Sequence, residues 1–328
     1  MKRETGRLWL LALLVPASFG FALLAGSTDI GGGQFIQLLA GNADNLSEAI
    51  FRLRATRALD GFVVGALLAM AGALLQVLLR NPLAEPYILG ISGGAGVATL
   101  SVMLLGMAGF WLPLAAFTGA LISTLLVFGI GFAAGSWSPA RLLLTGVVIA
   151  AGWSAVISFM LAISSQLQIH GMLFWLMGDL DQASGSLTGL LLMGCFLVIA
   201  WLLARQLNML ARGEQPAAAL GVPVITLRRT IFILASAMTA LSVSMAGSIG
   251  FVGLIVPHTL RLVGLGNYRV LLPASALCGG SFLVFADTLA RILLAPQQVP
   301  VGVITALIGV PLFLILLQRQ YGLRQPEA

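Results

Sequence analysis

Charged residues are scarce in this chain of 328 residues: they make up 9% of it, while 59% of the residues are hydrophobic and the mean hydropathy is +1.04. Such a composition lacks the polar surface that a water-soluble domain needs, and it excludes a soluble globular protein. It predicts one integral membrane domain over residues 1–328, with the lipid bilayer as its solvent. The net charge of +6 comes from scattered basic residues without an aromatic-rich patch, which argues against a nucleic-acid partner.

Catalytic and metal-binding patterns are missing as well. The sequence contains no HExxH, no GxSxG and no GxxxxGK[ST] phosphate-binding loop. Cys195 and Cys278 each lie alone in an apolar run, so we expect small core residues rather than a disulfide or a metal site. We therefore expect no catalytic residue, no metal and no cofactor bound by this chain. Any ATP and Mg²⁺ that drive its work would belong to a separate subunit.

Long apolar runs fill most of the chain. About 20 residues cross the hydrocarbon core as a helix, and breaks at charges, proline and glycine divide the sequence into ten candidate spans. They lie near residues 8–26, 58–79, 87–106, 111–132, 141–162, 187–204, 229–247, 252–265, 271–294 and 302–318. The first resembles a signal peptide, but its length and the many spans after it favour an uncleaved helix. The eighth is short and contains Pro257, so nine spans stay possible.

Basic residues set the predicted orientation. With a cytoplasmic N-terminus, thirteen of the 17 basic residues fall on the inside, as the positive-inside rule requires. Both termini are then cytoplasmic, and we expect the chain in the inner membrane. Four arginines are exceptions: Arg52, Arg54 and Arg57 precede the second span, and Arg291 ends the ninth. One interpretation is that they pair with lipid phosphate or with a nearby carboxylate, which could be Asp44, Glu48, Asp60 or Asp287. The alternative is that they form a docking surface for an acidic partner outside the membrane.

Glycine pairs in the second and third spans predict close helix packing. Gly61 and Gly65 form one GxxxG pair, and Gly90 and Gly94 form another. Helices associate in lipid by close backbone approach, which small residues allow. We therefore expect these glycines at helix contacts rather than facing lipid.

Two further patterns bear on transport. Met-Ala-Gly occurs at 70–72 and at 245–247, each time with a proline ten residues after the glycine, in spans of opposite orientation. Inverted repeats of this kind are common in transporters.

An ion-coupled carrier usually has ionisable groups near the bilayer midplane. Here the spans contain only Asp60, Asp287 and His258, all predicted near span ends, which argues against ion coupling.

The longest inside loop, about residues 205–229, predicts a structured knob on the cytoplasmic face. Glu214 and Pro216 suit the start of a short helix over Gln215–Leu220, and Gly221 suits its end. The segment could also lie along the bilayer surface, but it is too alanine-rich and too weakly amphipathic for a good interfacial helix.

Eight segments in order carry a resemblance to a known family. They are RATRALDGFVVGALLAMAGALLQVLLRNPLAEPYILGISGGAG (54–96), RLLLTGVVIAAG (141–152), FWLMGDL (174–180), LARGEQPAAALGV (210–222), AGSIGFVGLIVPHTLRL (246–262), YRVLLPASAL (268–277), ADTLAR (286–291) and VPVGVITALIGVPLF (299–313). Together they resemble the FecCD/BtuC-type permease of type II ABC importers, which take up cobalamin, haem and iron-siderophore complexes. The first segment departs slightly, because the family usually has Arg-Leu-Pro-Arg where this chain has Arg-Ala-Thr-Arg at 54–57.

The resemblance implies an all-α polytopic membrane protein of about ten transmembrane helices with inverted repeats. It also implies a homodimer with the path on its axis, two ATP-binding cassette ATPase subunits below and a periplasmic or lipid-anchored substrate-binding protein above. The implied ATPase-coupling residues are Gly213, Glu214, Ala218, Leu220, Gly221 and Val222. The implied binding-protein docking residues are Arg54, Arg57 and Arg291, whereas Arg52 has no clear counterpart. The implied path residues are Thr145, Ser154, Ser158, Val303 and Thr305, with the loop 135–141 as an inner gate.

Two functions of different class stay open at this point. The resemblance favours the permease subunit of an ATP-driven importer of a metal chelate. A self-sufficient secondary carrier or channel is the alternative, and the lack of midspan charges and the structured inside loop both disfavour it. The cargo is also open, because segments similar to cobalamin permeases are shared largely with iron-siderophore permeases.

Overall fold

The computed structural model describes residues 2–26, 44–132, 138–181 and 186–322, and its regular elements are helices. They are α1 (Lys2–Ala12), α2 (Leu14–Leu24), α3 (Asn45–Leu78), α4 (Ile91–Leu104), α5 (Trp111–Phe132), α6 (Pro139–Ile163), α7 (Gln166–Met177), α8 (Ser186–Leu202), α9 (Ala204–Leu210), α10 (Glu214–Ala219), α11 (Val224–Ala246), α12 (Val252–Leu262), α13 (Tyr268–Ile292) and α14 (Val301–Gly322). A short 3-10 turn, Pro86–Leu89, precedes α4.

The helices account for every predicted span. Within the described residues, six segments are long and apolar enough to cross a membrane: Gly6–Leu24, Asn45–Leu78, Trp111–Gly131, Pro139–Ile163, Val224–Ala246 and Tyr268–Ile292. The pair α8 and α9, bent by 55° at the break between them, adds a seventh crossing as one broken span. The shorter apolar helices α4, α12 and α14 coincide with the remaining three. The chain is therefore a multi-pass membrane protein, and about ten transmembrane helices are confirmed.

Helix α3 lies at the centre of the packing. Its most apolar stretch of 18 residues is wholly buried inside the protein, and α13, α11, α12 and α8 pack around it. Small residues make this possible. A Cβ atom at Gly65 would overlap the carbonyl oxygen of Gly279 on α13, and one at Gly72 would overlap that of Gly253 on α12. Gly94 on α4 likewise leaves no room for a Cβ atom beside α5. The predicted contact role of the glycine pairs is confirmed.

The structure differs from the sequence prediction in three places. Helix α3 begins at Asn45 rather than near residue 58, because the polar stretch before the apolar run contains no glycine or proline to stop a helix. Helix α7 was not predicted, although Ser165 and Gln168 form a capping box at its start. The prediction that Cys195 is a core residue was wrong: it is exposed on the apolar surface of α8, while Cys278 is half-buried.

Candidate translocation path and docking surfaces

An apolar cleft of about 580 Å³ opens beside the start of α14. It lies beside three breaks between successive helices, which are here called the interruptions: the one after α7, the one between α11 and α12, and the one before α14. Its lining residues are Met177, Ser248, Gly302, Val303, Ala306, Leu307, Val310 and Pro311. Ser248 is the one hydroxyl-bearing residue among them and no lining residue is charged. Such a surface can accommodate a bulky solute without holding it through strong polar contacts.

Backbone hydrogen bonds join the three interruptions to one another. Val301 N donates to Gly178 O at 3.1 Å, and Asp179 N donates to Ala246 O at 2.9 Å. Gly302 packs so closely on the last carbonyl of α7 that a Cβ atom there would overlap its oxygen. The end of α7, the end of α11 and the start of α14 thus meet at one junction, and a shift of one would be transmitted to the others.

The link between α11 and α12 is supported by residues from the turn before α4. The Phe251 backbone N donates to Glu85 Oε1 at 2.5 Å, and the Ile249 N donates to the Tyr87 hydroxyl at 3.1 Å. Phe251 has a φ of 70°, a left-handed conformation that a bulky residue adopts only when its surroundings impose it. Burial raises the pKa of Glu85, and the hydrogen bond from Phe251 partly offsets that effect.

The predicted path residues fall in different environments. Val303 lines the cleft, whereas Thr305 is fully buried and donates to a carbonyl one turn earlier on its own helix. Ser154 and Ser158 lie on the exposed face of α6, where the Ser158 hydroxyl donates to Ser154 O at 2.9 Å. Thr145 is half-buried on the same helix. Within one copy of the chain, α6 contributes none of the residues that line the cleft.

A largely buried group of charges on the predicted outer side, here named the outer charge cluster, consists of Arg57, Arg291, Asp179, Asp181 and Asp287. Arg57 Nη2 lies 2.9 Å from Asp287 Oδ1, and Arg57 Nη1 pairs with Asp181. Asp179 lies 3.9 Å from the same guanidinium. Arg291 Nε contacts Asp287 Oδ2 at 3.1 Å. The cluster therefore ties α3, α13 and the link after α7 together through ion pairs.

The three arginines that the resemblance assigns to docking expose little of their side chains. The Arg57 side chain is 13% exposed, Arg291 is 7% exposed and Arg54 is 5% exposed. Arg54 donates to Leu23 O of α2 at 2.9 Å. Asp181 is the most accessible member of the outer charge cluster, with a side chain 58% exposed. The arrangement matches the local pairing considered from the sequence for Arg57 and Arg291, and the docking role of the three arginines stays a prediction.

Asp179 lies in the link between α7 and α8, and its partial burial changes its pKa. Loss of water raises the pKa of this carboxyl, the nearby Asp181 charge adds to the rise, and a hydrogen bond from Asp181 N and the Arg57 charge oppose it. The carboxylate thus depends on Arg57 and on the turn at Asp181 to stay charged.

The loop predicted to lie on the inner side forms a short helix, α10, as its sequence predicts. Gly213 before α10 has a φ of 128° and Gly221 after it has a φ of 81°, conformations that favour glycine. Ala218 and Leu220 are exposed, Leu220 by 64%, while Val222 is buried. An apolar tip therefore projects from a rigid turn. Its role in coupling stays a prediction.

One ion pair fastens this turn to the membrane helices. Glu214 at the start of α10 pairs with Arg228 on α11, whose side chain is only 8% exposed. A displacement of α10 would therefore pull on α11.

The predicted inner gate, residues 135–141, lies partly outside the described residues, which resume at 138.

Comparisons with known proteins agree with this architecture. The FecCD transport family matches residues 12–319. Vitamin B12 import system permease proteins BtuC are 39% identical in Salmonella paratyphi A (94% of each chain) and 37% identical in Klebsiella pneumoniae (98% of this chain, 97% of the relative). A solved inward-facing metal-chelate type ABC transporter superposes with a TM-score of 0.83 at 30% identity, covering 96% of this chain and 99% of that one. PsaBC from Streptococcus pneumoniae shares the fold alone, with a TM-score of 0.55 at 16% identity, covering 80% of this chain and 90% of that one. The fold is that of a type II ABC importer permease, and the chain belongs to the FecCD transport family.

Proposed function

We propose that this chain is the membrane-spanning subunit of an ABC importer and that its cargo is cobalamin. The observation that carries the cargo assignment is the 39% identity, over 94% of each chain, to permeases of vitamin B12 import systems. The apolar cleft beside α14 supports it, since a large solute with a mostly non-ionic surface can pass such a lining without being trapped. Haem and iron-siderophore complexes are the competing cargoes.

A second copy of the chain is the first proposed partner. Helix α6 has most of its apolar stretch outside the core, with Leu144, Val147 and Val148 exposed. Helix α14 exposes Leu307 and Val310 beside the cleft. In a homodimer these two helices would enclose a shared path on the axis, with Thr145, Ser154, Ser158 and Val303 near it and Thr305 behind it. Wide apolar faces of this kind are typical of contacts with lipid or with another subunit.

ATP hydrolysis is assigned to two separate cassette subunits at the inner face, which bind the ATP and Mg²⁺. The exposed tip of α10 would enter each ATPase. The proposed coupling residues are Gly213, Glu214, Ala218, Leu220, Gly221 and Val222. The pair between Glu214 and Arg228 would transmit the movement to α11. The chain lies in the inner membrane, with both termini cytoplasmic.

A substrate-binding protein is the proposed outer partner. Arg54, Arg57 and Arg291 would receive its acidic residues. The outer charge cluster suggests how this happens: Arg57 now holds Asp181, an exposed carboxylate, and a carboxylate of the partner could take that place. The cluster would then carry the docking event to the junction beside the cleft through Asp179.

Uptake into proteoliposomes tests the proposal. Vesicles containing the permease, its ATPase and its binding protein are offered cyanocobalamin, haem or a ferric siderophore, with and without internal ATP. We expect cyanocobalamin alone to accumulate, and only with ATP. ATP-dependent accumulation of another chelate would correct the cargo but keep the importer, whereas equal flux without ATP would identify a carrier or channel.

A further inference from the structure

A basic groove lies on the predicted inner face beside the coupling helix. Two adjoining cavities of about 350 and 400 Å³ share Asn208, Arg212 and Asn267 in their lining. Arg205 and Arg269 complete the basic rim of the cavity of about 350 Å³, which Leu220 after α10 also lines. All three arginine side chains are exposed. The groove thus brings three positive charges together from α9, the turn after it and the start of α13.

These guanidinium groups have no acidic partner in the parts of the chain that the structure describes. Its ion pairs involve Arg57, Arg228 and Arg291 instead, and the nearest acidic residue in sequence, Glu214, is taken by Arg228. Three uncompensated arginines around one concavity favour an anion, because each guanidinium offers several donors in a fork that suits phosphate oxygens.

The floor of the basic groove is fixed by side-chain amides. Asn208 Nδ2 donates to Asn267 Oδ1 at 2.9 Å, and the same oxygen accepts from Arg269 N at 3.0 Å. Asn208 Oδ1 in turn accepts from Tyr268 N at 3.0 Å. These bonds hold α9 against the start of α13, so the groove is a built feature that does not need a ligand to form.

The surroundings place the basic groove at the edge of the bilayer. The Trp201 indole N–H donates to Arg269 O at 3.2 Å, and this ring is 47% exposed at the end of α8. Tryptophan with one polar contact and an exposed apolar ring is typical of the membrane–water interface. Around this ring and back along α8, Leu202, Val198 and Leu191 are exposed; they are four and seven residues apart, so they form an apolar row on one face that is suited to acyl chains. Trp201 thus connects this apolar face of α8 to Arg269 at the rim of the groove.

We propose that the basic groove binds the phosphate headgroup of an anionic phospholipid of the inner leaflet, with phosphatidylglycerol as the simplest case. The phosphate lies among Arg205, Arg212 and Arg269, and the acyl chains run along α8. Basic pockets between membrane helices on the cytoplasmic side bind such headgroups through charge and donor geometry. Leu220 borders the same groove, so the bound lipid lies next to the coupling tip. The inference concerns a lipid site and does not depend on the proposed cargo.

An acidic surface of the ATPase is the other partner that three arginines could attract. The lipid is favoured because Trp201 and the exposed row on α8 lead from the groove toward the bilayer. A cytoplasmic protein does not enter the hydrocarbon region and would not contact that row. A soluble partner would account for the charges alone, whereas a phospholipid accounts for the charges and the apolar row together.

Native mass spectrometry of the full-length permease in mild detergent tests the proposal, with phosphatidylglycerol and phosphatidylcholine as probes. The variant is Arg212→Gln/Arg269→Gln. The control, Arg52→Gln/Arg80→Gln, removes the same charge at exposed arginines outside the groove. We expect the unmodified permease to prefer phosphatidylglycerol by about tenfold or more. The groove variant should lose about tenfold to thirtyfold in affinity for it, and the control less than about twofold.

Three results would overturn the lipid site. They are an unmodified permease without preference for phosphatidylglycerol, a groove variant with unchanged affinity, and an equal loss in the control. Loss of ATPase co-purification in the groove variant, with lipid affinity intact, would reassign the groove to the ATPase. Where the double variant does not fold, the single variants Arg212→Gln and Arg269→Gln, each at an exposed side chain, provide the same comparison with the control.

Discussion

Gly65 on α3 and Gly279 on α13 pack backbone to backbone. A Cβ atom at Gly65 would collide with the carbonyl oxygen of Gly279, and a Cβ atom at Gly279 would collide with that of Gly65. Close approach of this kind is the main attraction between helices in lipid, where burial of apolar surface gives no advantage. The contact joins the central helix to the helix that carries Asp287 and Arg291.

Enlarging either glycine should therefore destabilise the permease. We expect Gly65→Ala to cost about 1–3 kcal/mol, because backbone atoms must move to make room. Gly152→Ala and Gly194→Ala, at helical positions with open space around them, are the controls. Thermal unfolding of the purified protein, followed by size-exclusion chromatography, measures the difference. An equal fall in all three midpoints would contradict the packing argument.

Asp287 should be the most sensitive member of the outer charge cluster. It is 2% exposed and accepts hydrogen bonds from both Arg57 and Arg291. Asp287→Asn leaves the buried Arg291 without its charge partner and leaves Arg57 with only the more exposed Asp179 and Asp181. Removing one member of a buried pair costs about 3–5 kcal/mol. We expect a large loss of folded protein in the membrane fraction. Asp44→Asn, which removes a carboxylate at the exposed start of α3, is the control and should express normally.

Asp181 should behave differently, because it is exposed and competes for Arg57. Asp181→Asn is expected to leave the protein stable and to strengthen capture of the binding protein severalfold, since a surface pair is worth at most about 1 kcal/mol. Surface plasmon resonance at two salt concentrations measures this. Weaker capture by the Asp181 variant would show that this carboxylate assists docking.

The positions of the helices followed from composition, but the function of the outer arginines did not. Apolar length and breaks are local properties, so ten spans were predictable residue by residue. The pairing of Arg57 with Asp287 joins residues 230 positions apart and exists only after α3 packs on α13. The residues alone allowed local pairing and docking equally, and the family resemblance favoured docking. The structure shows pairing of Arg57 and Arg291 with Asp287. Helix α7 was missed because it is too short to span a bilayer, although its capping box was visible.

The tip of α10 gives a direct test of coupling. Leu220→Glu replaces a side chain that is 64% exposed and makes no core contact, so we expect normal folding but loss of ATPase co-purification. Leu46→Glu, at an equally exposed leucine on the predicted outer side, is the control and should retain the ATPase. A retained ATPase in the Leu220 variant would remove α10 from the coupling role.

The support of the α11–α12 link by Glu85 predicts a contrast between two variants. Glu85→Gln keeps an oxygen that can accept from Phe251 N, and because burial raises the pKa of Glu85, loss of the charge itself should cost little. Glu85→Leu leaves a buried backbone N–H without a partner, at about 1–3 kcal/mol. We expect Glu85→Leu to have a lower thermal unfolding midpoint and a lower rate of ATP-driven uptake than Glu85→Gln. Equal behaviour of the two variants would mean that the hydrogen bond contributes nothing measurable.

The complete enclosure of the apolar stretch of α3 has a mechanical consequence. A helix in contact on all sides cannot tilt or rotate without disturbing every neighbour at once, because protein interiors are packed as densely as crystals. Helix α6, with only 11% of its apolar stretch enclosed, is under no such restraint. Alternation between outward- and inward-open states should therefore leave α3 stationary and move α6 around it. A spectroscopic label on α3 would provide a fixed origin for measuring the stroke of the transporter.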